Sequence, residues 1–395
     1  MAEHRPCTLV FGANDTKARE IKFLCQCLEK IGIDTLLVDL DLHAHYRDSD
    51  GSGDAKLSAM QKMAQTAHAE SLAHIEAKDI DGIIAMGGGV GTWIATEVMH
   101  RLPFGLPKIM LSTLPSDPRP LVKHSDIVLV PTIVDLQGLN PILRTVLRNA
   151  AAALAGMIEY GGQPEAIGNR LIGLTGLGET SNSVFAACEF LESAGHEVAT
   201  FHVNGIGGCT FETFIGDDVF AGILDLTTAE LTSHLFGGIA DPGPHRLEGA
   251  AAQGVPQVVV PGGLGFVTRG PIEGLSEEDH GRKHYAQNML FTHVRLNASE
   301  MRQVAEAVTE KLNKCVGPVA VAIPKLGFSR KDGPGGIIDD PKANAAFTAT
   351  LRERLRSDIP IHEKDAHIAD PAFIQFACRL LLDLMENPPP AEEPK

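Results

Sequence analysis

A run of glycines directly after an apolar segment is the part of this sequence best suited to bind an anion. Residues 86–92 read Met-Gly-Gly-Gly-Val-Gly-Thr and stand between the apolar segment 80–85 and a helical pattern over 93–101. A strand-to-helix turn of this kind presents free backbone N–H groups at the positive end of the helix dipole, and glycine lets a phosphate approach them closely. The next apolar strand ends in Ser112 and Thr113, whose hydroxyls are further donors. The pattern predicts a site for a phosphorylated ligand, and in particular for a nucleotide.

The glycine run does not match a standard phosphate-binding motif. No Gly-Lys-Ser or Gly-Lys-Thr triplet closes it, so it is not a Walker A loop. It fits the dinucleotide pattern G-x-G-x-x-G only if Thr92 replaces the last glycine. A tight turn that needs glycine for packing alone is the alternative. If the nucleotide is present, its contacts in this run are Gly87, Gly88, Gly89, Gly91 and Thr92.

Two further strand ends in the first half carry candidate ligand contacts. After the first strand come Gly12, Asp15 and Lys17, where Asp15 is suited to cap a helix and Lys17 to reach an anion. The alternative for Lys17 is a solvated surface lysine. After the second strand comes Asp39, placed like the acidic residue that binds a ribose hydroxyl in dinucleotide-binding sheets. The alternative for Asp39 is a turn-forming aspartate.

The second half of the sequence contains a denser series of strands that end in glycine, threonine or acidic residues. Consecutive backbone N–H groups at such ends form concave anion sites. The candidate cofactor-binding residues there are Gly176, Gly178, Thr180, Asn204, Gly205, Gly207, Gly208, Thr227, Gly262, Gly263, Lys325 and Ser329.

Four residues of the second half are candidates for catalysis. Asp225 and Glu230 are suited to hold Mg²⁺ or to act as a general base. His202 is suited to acid–base chemistry, and Arg295 to an anionic substrate. The alternatives are a first-turn acid for Glu230 and a core histidine for His202. Neither G-x-S-x-G nor H-E-x-x-H occurs, which gives no support to serine hydrolases or zincins.

Composition narrows the class of protein. The chain has 395 residues, 44% of them hydrophobic, and a formal net charge of −16. Because there is no basic excess, non-specific binding to nucleic acid is not expected. No apolar stretch approaches the roughly 20 residues of a membrane helix, and no signal peptide is recognisable. The seven cysteines are scattered without a C-x-x-C pair, so we expect a reducing, cytoplasmic location.

Apolar runs alternate with helical patterns along the chain, which is typical of parallel sheets covered on both faces. We predict an α/β protein with two doubly wound, Rossmann-like lobes and a cleft between them. The expected domains are residues 1–160 and 168–386, followed by a disordered tail at 387–395 that is rich in Pro and Glu. The predicted strands are 8–12, 35–40, 82–86, 108–112, 127–131, 171–175, 198–203, 223–227, 255–261, 291–296 and 319–324.

Taken in order, a series of blocks resembles one protein family, from about Thr8 to Leu384. It is the uncharacterised family typified by the N-terminal ATP-binding domain of the tomato mosaic virus resistance protein. The matching blocks are GANDTK (12–17), GGGVGT (87–92), GLPKIMLST (105–113), DLQGLN (135–140), LRNAA (147–151), FHVNGIGG (201–208), LDLTTAEL (224–231), GPHRLE (243–248) and the segment 324–340.

The resemblance implies ATP bound by the glycine-rich loops, with Mg²⁺ at its phosphates, and association into homodimers. In the plant protein this domain binds a viral replication helicase, so the resemblance also implies a protein partner, though not that helicase. The chain departs from the family pattern at Gly265 and Thr268, where an Asp and an Asn are usual, and at Gln287, where a His is usual. If the usual Asp and His transfer protons or bind metal in other members of the family, this chain has lost or changed that step.

Three classes of function remain open at this stage. The first is an ATP-stabilised, dimeric interaction module. The second is a metabolic enzyme acting on a small phosphorylated or carboxylated substrate, with Asp225, Glu230, His202 and Arg295 as its working groups. The third is an ATPase or phosphotransferase, which the missing Walker lysine disfavours.

Overall fold

The computed structural model describes residues 5–42, 53–77, 80–114, 118–162 and 171–386. The chain divides into two compact units, residues 1–166 and 167–395. The tail at 387–395, predicted to be disordered, lies outside the described residues.

The first unit is built on a five-stranded parallel sheet. Its strands are β1 (Cys7–Gly12), β2 (Asp34–Asp39), β3 (Gly82–Gly87), β4 (Lys108–Ser112) and β5 (Val128–Pro131), in the order β2-β1-β3-β4-β5. Every residue of β3 is buried. A strand that is apolar along its whole length is expected where helices cover both faces of a parallel sheet.

Helices cover both faces of this sheet. They are Asn14–Lys30, Gly53–Glu76, Gly89–Met99, Arg119–Val122 and Pro141–Tyr160. On one face Phe11 packs in a core with Met63 and Ala95. On the other face Val10, the preceding residue, packs in a core with Leu24 and Leu147. Successive residues of β1 therefore serve opposite layers, as the alternation of a strand requires.

The second unit contains a six-stranded parallel sheet. Its strands are β6 (Leu171–Gly176), β7 (Glu197–His202), β8 (Gly222–Thr227), β9 (Gln257–Gly262), β13 (Val319–Pro324) and β14 (Ile361–Lys364). Their order in the sheet is β14-β13-β9-β8-β6-β7. Its helices of five residues or more are Ser181–Ser193, Ile206–Gly216, Glu230–Phe236, Gly249–Gln253, Ala298–Leu312, Pro341–Arg354 and Pro371–Glu386.

An antiparallel sheet of three short strands is inserted between β9 and β13. It consists of β10 (Phe266–Arg269), β11 (His284–Ala286) and β12 (Thr292–Arg295), with β12 in the middle. The strand predicted at 291–296 is thus real, but it belongs to this small sheet.

Both parallel sheets have the same strand order, because the first strand of each unit lies between the second and the third. Chain direction across the sheet reverses at that point, and ligands of open α/β sheets bind in the crevice at the carboxyl ends of the two strands concerned. The crevices lie between β1 and β3 and between β6 and β8. The prediction of two doubly wound parallel sheets is confirmed; the cleft between the lobes stays a prediction. None of the described helices is long and apolar enough to cross a membrane.

Candidate functional site

The glycine run of the first unit lies at the β1–β3 crevice. Gly88 is the N-cap of helix Gly89–Met99, with φ −75° and ψ −167°, and no side chain caps the helix. The helix begins four residues before the predicted helical pattern at 93–101, so Gly89 and Gly91 are in its first turn. The first N–H groups of a helix have no partner within it. Gly88 therefore leaves a set of donors that face outward at this edge.

Packing explains one of the four glycines of this run; a Cβ at Gly91 would make only an ordinary contact, 3.9 Å from the carbonyl oxygen of Met86. A Cβ at Gly87 would lie 2.5 Å from the backbone nitrogen of Thr92, so this position needs glycine for close approach. A Cβ at Gly88 or at Gly89 would have no atom within 4 Å. Neither residue has a positive φ, so conformation does not require glycine either. The absence of side chains at Gly88 and Gly89 keeps open space beside the free N–H groups.

Thr92 and Ser112, both predicted to contact the ligand, use their hydroxyls inside the protein. Thr92 Oγ1 donates to the carbonyl of Gly87 at 3.0 Å and lies 2.9 Å from Ser112 Oγ. Because a hydroxyl has one proton, Ser112 is the donor of that pair, and Ser112 Oγ accepts from the N–H of Leu114 at 3.0 Å. Both side chains are buried. They join β3 to β4, whereas Thr113 is exposed and offers its hydroxyl to the edge.

The remaining predicted contacts of the first unit differ in role. Asp39 Oδ1 accepts from the N–H of Asn14 at 2.9 Å and from that of Asp41 at 3.1 Å, so this carboxylate acts as a cap and turn residue. Gly12 is needed for packing, since a Cβ there would lie 2.7 Å from the Ile21 side chain. Lys17 is half-buried and interrupts the helical geometry of its turn, with φ −130° and ψ 19°.

Asp15 is exposed in the first turn of helix Asn14–Lys30. Beside Asp39, a cavity of about 270 Å³ opens between the end of β2 and helix Gly53–Glu76. Asp41, Met63 and Glu70 contribute to its lining. This cavity lies at the position where dinucleotide-binding sheets hold a ribose.

In the second unit, a carboxylate of the protein itself fills the predicted anion nest at 205–208. Glu230 Oε1 accepts from the N–H of Gly205 at 2.5 Å and from that of Gly208 at 3.1 Å. A Cβ at Gly208 would lie 1.8 Å from Glu230 Oε2. Gly205 has a φ of +101°, which favours glycine for conformational reasons. The nest is real, but its anion is Glu230.

Arg246 binds the two carboxylates, Asp225 and Glu230, that were predicted to bind metal. Its guanidinium donates to both oxygens of Asp225 at 2.6 Å, to Glu230 Oε2 at 3.1 Å and to Glu212 Oε1 at 3.2 Å. Arg246, Asp225 and Glu230 are fully or almost fully buried. Burial raises the pKa of Glu230 to about 7, against the opposing effect of Arg246. Three carboxyl groups thus share one cation inside the unit.

This arrangement argues against the predicted magnesium and general-base roles of Asp225 and Glu230. Their oxygens are bound by a guanidinium, backbone N–H groups and the Thr175 hydroxyl. No group of three or more His, Cys, Asp or Glu side chains in the described ranges is placed to hold a metal ion. We assign the two carboxylates to the folding of the second unit. Sequence reasoning missed Arg246 as their partner, although it lies in the matching block 243–248.

Most other glycines predicted to contact the cofactor in this unit are explained by packing. A Cβ at Gly207 would lie 1.8 Å from the carbonyl oxygen of His202, and one at Gly262 would lie 2.1 Å from that of Leu226. Gly176 and Gly263 would likewise place a Cβ 2.7 and 2.8 Å from neighbouring side chains.

The polar candidates of the same strand ends are spread over several places. Thr180 Oγ1 and Thr227 Oγ1 lie 2.7 Å apart and join the ends of β6 and β8. His202, the last residue of the edge strand β7, and Asn204, which follows that strand, are both exposed. Lys325 forms an ion pair with Asp365.

Arg295 is buried. Its guanidinium fills the space beside Gly265, one of the positions where the chain departs from the family pattern. Its Nη1 donates to the carbonyl of Gly265 at 2.7 Å, and a Cβ at Gly265 would lie 1.8 Å from the same nitrogen. Nη2 donates to Asn344 at 2.6 Å. The guanidinium therefore takes the space of a side chain at residue 265.

Comparison with known proteins identifies the family. Residues 42–163 match the N-terminal domain, and residues 169–385 the C-terminal domain, of a family described as "Uncharacterised protein family (UPF0261)". This chain belongs to the UPF0261 family. A UPF0261 protein from Clostridium tetani (strain Massachusetts / E88) is 36% identical over 400 residues, which cover 96% of this chain and 99% of the relative. The predicted family resemblance is confirmed.

Two further relatives extend the range of organisms. A UPF0261 protein from Rhizobium meliloti (strain 1021) is 35% identical to this UPF0261 chain over 392 residues, with 95% of this chain and 98% of the relative covered. The ToMV resistance protein Tm-1(GCR237) of Solanum lycopersicum is 32% identical over 308 residues. That match covers 74% of this chain but 41% of the tomato protein, so this chain corresponds to part of it.

Proposed function

We propose that this UPF0261 protein binds a nucleotide, ATP in particular, with its phosphates at the N-terminus of helix Gly89–Met99. The observation that carries the proposal is the open space at Gly88 and Gly89. Neither packing nor backbone conformation calls for glycine at these two positions. A bound phosphate does, because it needs to come within hydrogen-bonding distance of the first N–H groups of the helix.

The surroundings of this helix end support a nucleoside triphosphate over a bare phosphate. The crevice lies at the strand pair where α/β sheets of this order bind ligands. The cavity of about 270 Å³ beside Asp39 and Glu70 gives room at the end of β2 for a ribose. The family resemblance of the sequence implies the same ligand.

Magnesium accompanies the nucleotide in this proposal without a protein site of its own. Mg²⁺ keeps several waters and is commonly held by substrate phosphates with one or two carboxylates. The exposed Asp15, in the turn after β1, is the carboxylate of the crevice suited to reach such an ion.

We favour an interaction module over an enzyme for this site. Asp225 and Glu230, which the enzyme alternative needs as working groups, are bound to Arg246. His202 is exposed at the end of the edge strand β7. In the proposed module, ATP stabilises a homodimer or a face for a protein partner. Sedimentation velocity with and without MgATP tests this part, since a nucleotide-independent monomer would contradict it.

Calorimetric titration with MgATP, with phosphate release measured on the same sample, tests the proposal. We expect binding without sustained release. Gly89→Val places a β-branched side chain in the open space and should weaken binding at least about tenfold, which corresponds to about 1.4 kcal/mol. Gly156→Val is the matched control: a Cβ there also meets nothing within 4 Å, but Gly156 lies toward the C-terminal end of helix Pro141–Tyr160, away from the crevice. Equal affinity of wild type and Gly89→Val would refute the assignment, and sustained release would favour an ATPase.

A further inference from the structure

Lys17 is the residue in the turn after β1 whose side chain lies against the protein. It is half-buried, whereas its neighbours at 14–16 and 18–19 are exposed. Four residues further along the same helix, Ile21 packs at the end of β1, since a Cβ at Gly12 would lie 2.7 Å from its side chain. Residues four apart share one face of a helix. The Lys17 backbone departs from helical geometry, but its burial places the side chain on this same face, at the β1 side of the crevice.

The ammonium of Lys17 has no hydrogen-bond or ion-pair partner among the residues that the structure describes. Lys108, by comparison, is fully buried and bonded to Asp126 at 2.7 Å. A lysine stem can lie on apolar surface while its ammonium reaches water, so partial burial alone does not call for a ligand. The position of this ammonium does, because it lies at the crevice where a doubly wound sheet binds its ligand.

A cation and a set of free donors approach this crevice from opposite faces of the sheet. Helix Asn14–Lys30 packs by Leu24 on one face, and helix Gly89–Met99 packs by Ala95 on the other. The two helices follow neighbouring strands, β1 and β3, and no side chain in the described ranges caps the second helix. Lys17 and the first N–H groups of helix Gly89–Met99 therefore border the same crevice.

Lys17 supplies a charge that the glycine run lacks in its own sequence. In a Walker A loop, a lysine at the end of the loop reaches the phosphates, whereas residues 87–92 contain no lysine. Here the cation comes from the turn after the neighbouring strand. The two turns together offer a phosphate chain one ammonium and several backbone donors.

The order of the strands sets the direction of a bound nucleotide. The cavity beside Asp39 lies at the end of β2, Lys17 follows β1, and the uncapped helix follows β3, in the sheet order β2-β1-β3. Neighbouring strands are about 4.8 Å apart, so roughly 10 Å separates the cavity from the N-terminus of the helix. With the ribose in the cavity, the first phosphates lie beside Lys17, and only the last phosphate of a triphosphate reaches the N–H groups of the helix.

We propose that this crevice selects a nucleotide by the length of its phosphate chain. Lys17 pairs with the phosphates nearer the ribose, and the N-terminus of helix Gly89–Met99 accepts the terminal phosphate of ATP. ADP keeps the contact with Lys17 but loses the contact with the helix, so it binds more weakly than ATP. This selection rests on the proposed nucleotide binding and regulates it, since the protein then responds to the ratio of ATP to ADP.

Calorimetric titrations with MgATP and with MgADP test the two contacts separately. Wild type should bind MgATP at least about tenfold more tightly than MgADP, because the terminal phosphate adds charged hydrogen bonds. Lys17→Met should lower the affinity for both nucleotides by the same factor, about tenfold. Gly88→Ser should lower the affinity for MgATP alone, so that this variant loses the preference for ATP over ADP.

Three controls separate the charge of Lys17 from a structural role. Lys17→Arg keeps the positive charge and should retain most of the affinity for both nucleotides. Lys22→Met removes an exposed lysine of the same helix and should change neither affinity. Added salt should weaken MgADP binding more steeply in wild type than in Lys17→Met, since an ion pair at a half-exposed site is screened.

The outcomes also separate this selection from nucleotide binding itself. Equal affinity of wild type for MgATP and MgADP, or wild-type affinity of Lys17→Met for MgADP, would overturn the selection and leave nucleotide binding in place. A loss of MgADP affinity in Gly88→Ser as large as its loss of MgATP affinity would overturn the assigned direction. If wild type binds neither nucleotide, the proposed function fails as well.

Discussion

Substitution of Gly88 by serine should separate the stability of the fold from the proposed binding of nucleotide. Gly88 has the extended backbone of an N-cap residue, and a Cβ there would meet no atom within 4 Å. Serine at an N-cap accepts a hydrogen bond from the N–H of the second or third helical residue, here Val90 or Gly91. The new hydroxyl would therefore take up a donor that the phosphate needs.

The two effects differ in size and in sign. A serine cap is better than glycine by only a few tenths of a kcal/mol, so the free energy of unfolding without nucleotide should stay the same or rise slightly. Loss of one hydrogen bond to a charged phosphate costs about 1.5–3 kcal/mol. That loss corresponds to an affinity for MgATP lower by about 10- to 150-fold. Steric exclusion of the phosphate by the serine side chain would add to this loss.

Urea denaturation without nucleotide and calorimetric titration with MgATP measure the two quantities on the same protein. Gly156→Ser introduces the same side chain into equally open space elsewhere in the first unit and serves as the control. A variant Gly88→Ser that binds MgATP as tightly as wild type would refute the reasoning, because the capped N–H groups could not then be the phosphate donors. Clear destabilisation would show that Gly88 is needed by the fold itself.

Three further predictions concern the packing and charges of the two units. Arg246→Met should lower the free energy of unfolding at pH 7 by about 3–5 kcal/mol because it leaves buried carboxylates without a cation. Urea titrations should show a smaller loss of stability at pH 5 than at pH 7, since the carboxyl groups can protonate at the lower pH. Gly87→Ala should cost about 1–3 kcal/mol, since its Cβ would lie 2.5 Å from a backbone nitrogen; unchanged stability would contradict the packing argument. Burial lowers the pKa of His293 to about 4. As the pH falls below about 6.5, this histidine therefore takes up a proton in the unfolded chain but stays neutral in the folded chain. Wild type should lose about 3 kcal/mol between pH 6.5 and 4 through this group, and the pH titration of His293→Asn should lack that loss.

The parallel sheets could be predicted from the sequence because their central strands are almost entirely apolar. β3 and β4 are buried at every residue, and so are β8, β9 and β13; short apolar runs between helical patterns are typical of such strands. The antiparallel insertion could not be predicted in the same way. β11 has three residues and is partly exposed, so neither a run of apolar residues nor a clear alternation distinguishes it from a loop.

The candidate site was harder to predict, because the reason for a glycine lies in the atoms that surround it. Gly89 and Gly208 both follow a strand in a glycine-rich turn, and the sequence gives them the same interpretation. In the structure, Gly89 borders open space, whereas Gly208 accommodates the Glu230 carboxylate, which comes from 22 residues further along the chain. Only the three-dimensional structure shows which neighbour is present.

This contrast also strengthens the interpretation of the first unit. The glycine nest of the second unit shows what such a turn does when the fold supplies the anion: Gly205 and Gly208 bind a buried carboxylate that Arg246 neutralises. The turn at Gly88 and Gly89 has the same kind of donors, but within the described part of the first unit no side chain caps them. An anion from outside the chain would accept hydrogen bonds from this turn, as Glu230 does from Gly205 and Gly208 in the second unit. For that reason the first unit, and not the more glycine-rich second one, is where we place the nucleotide.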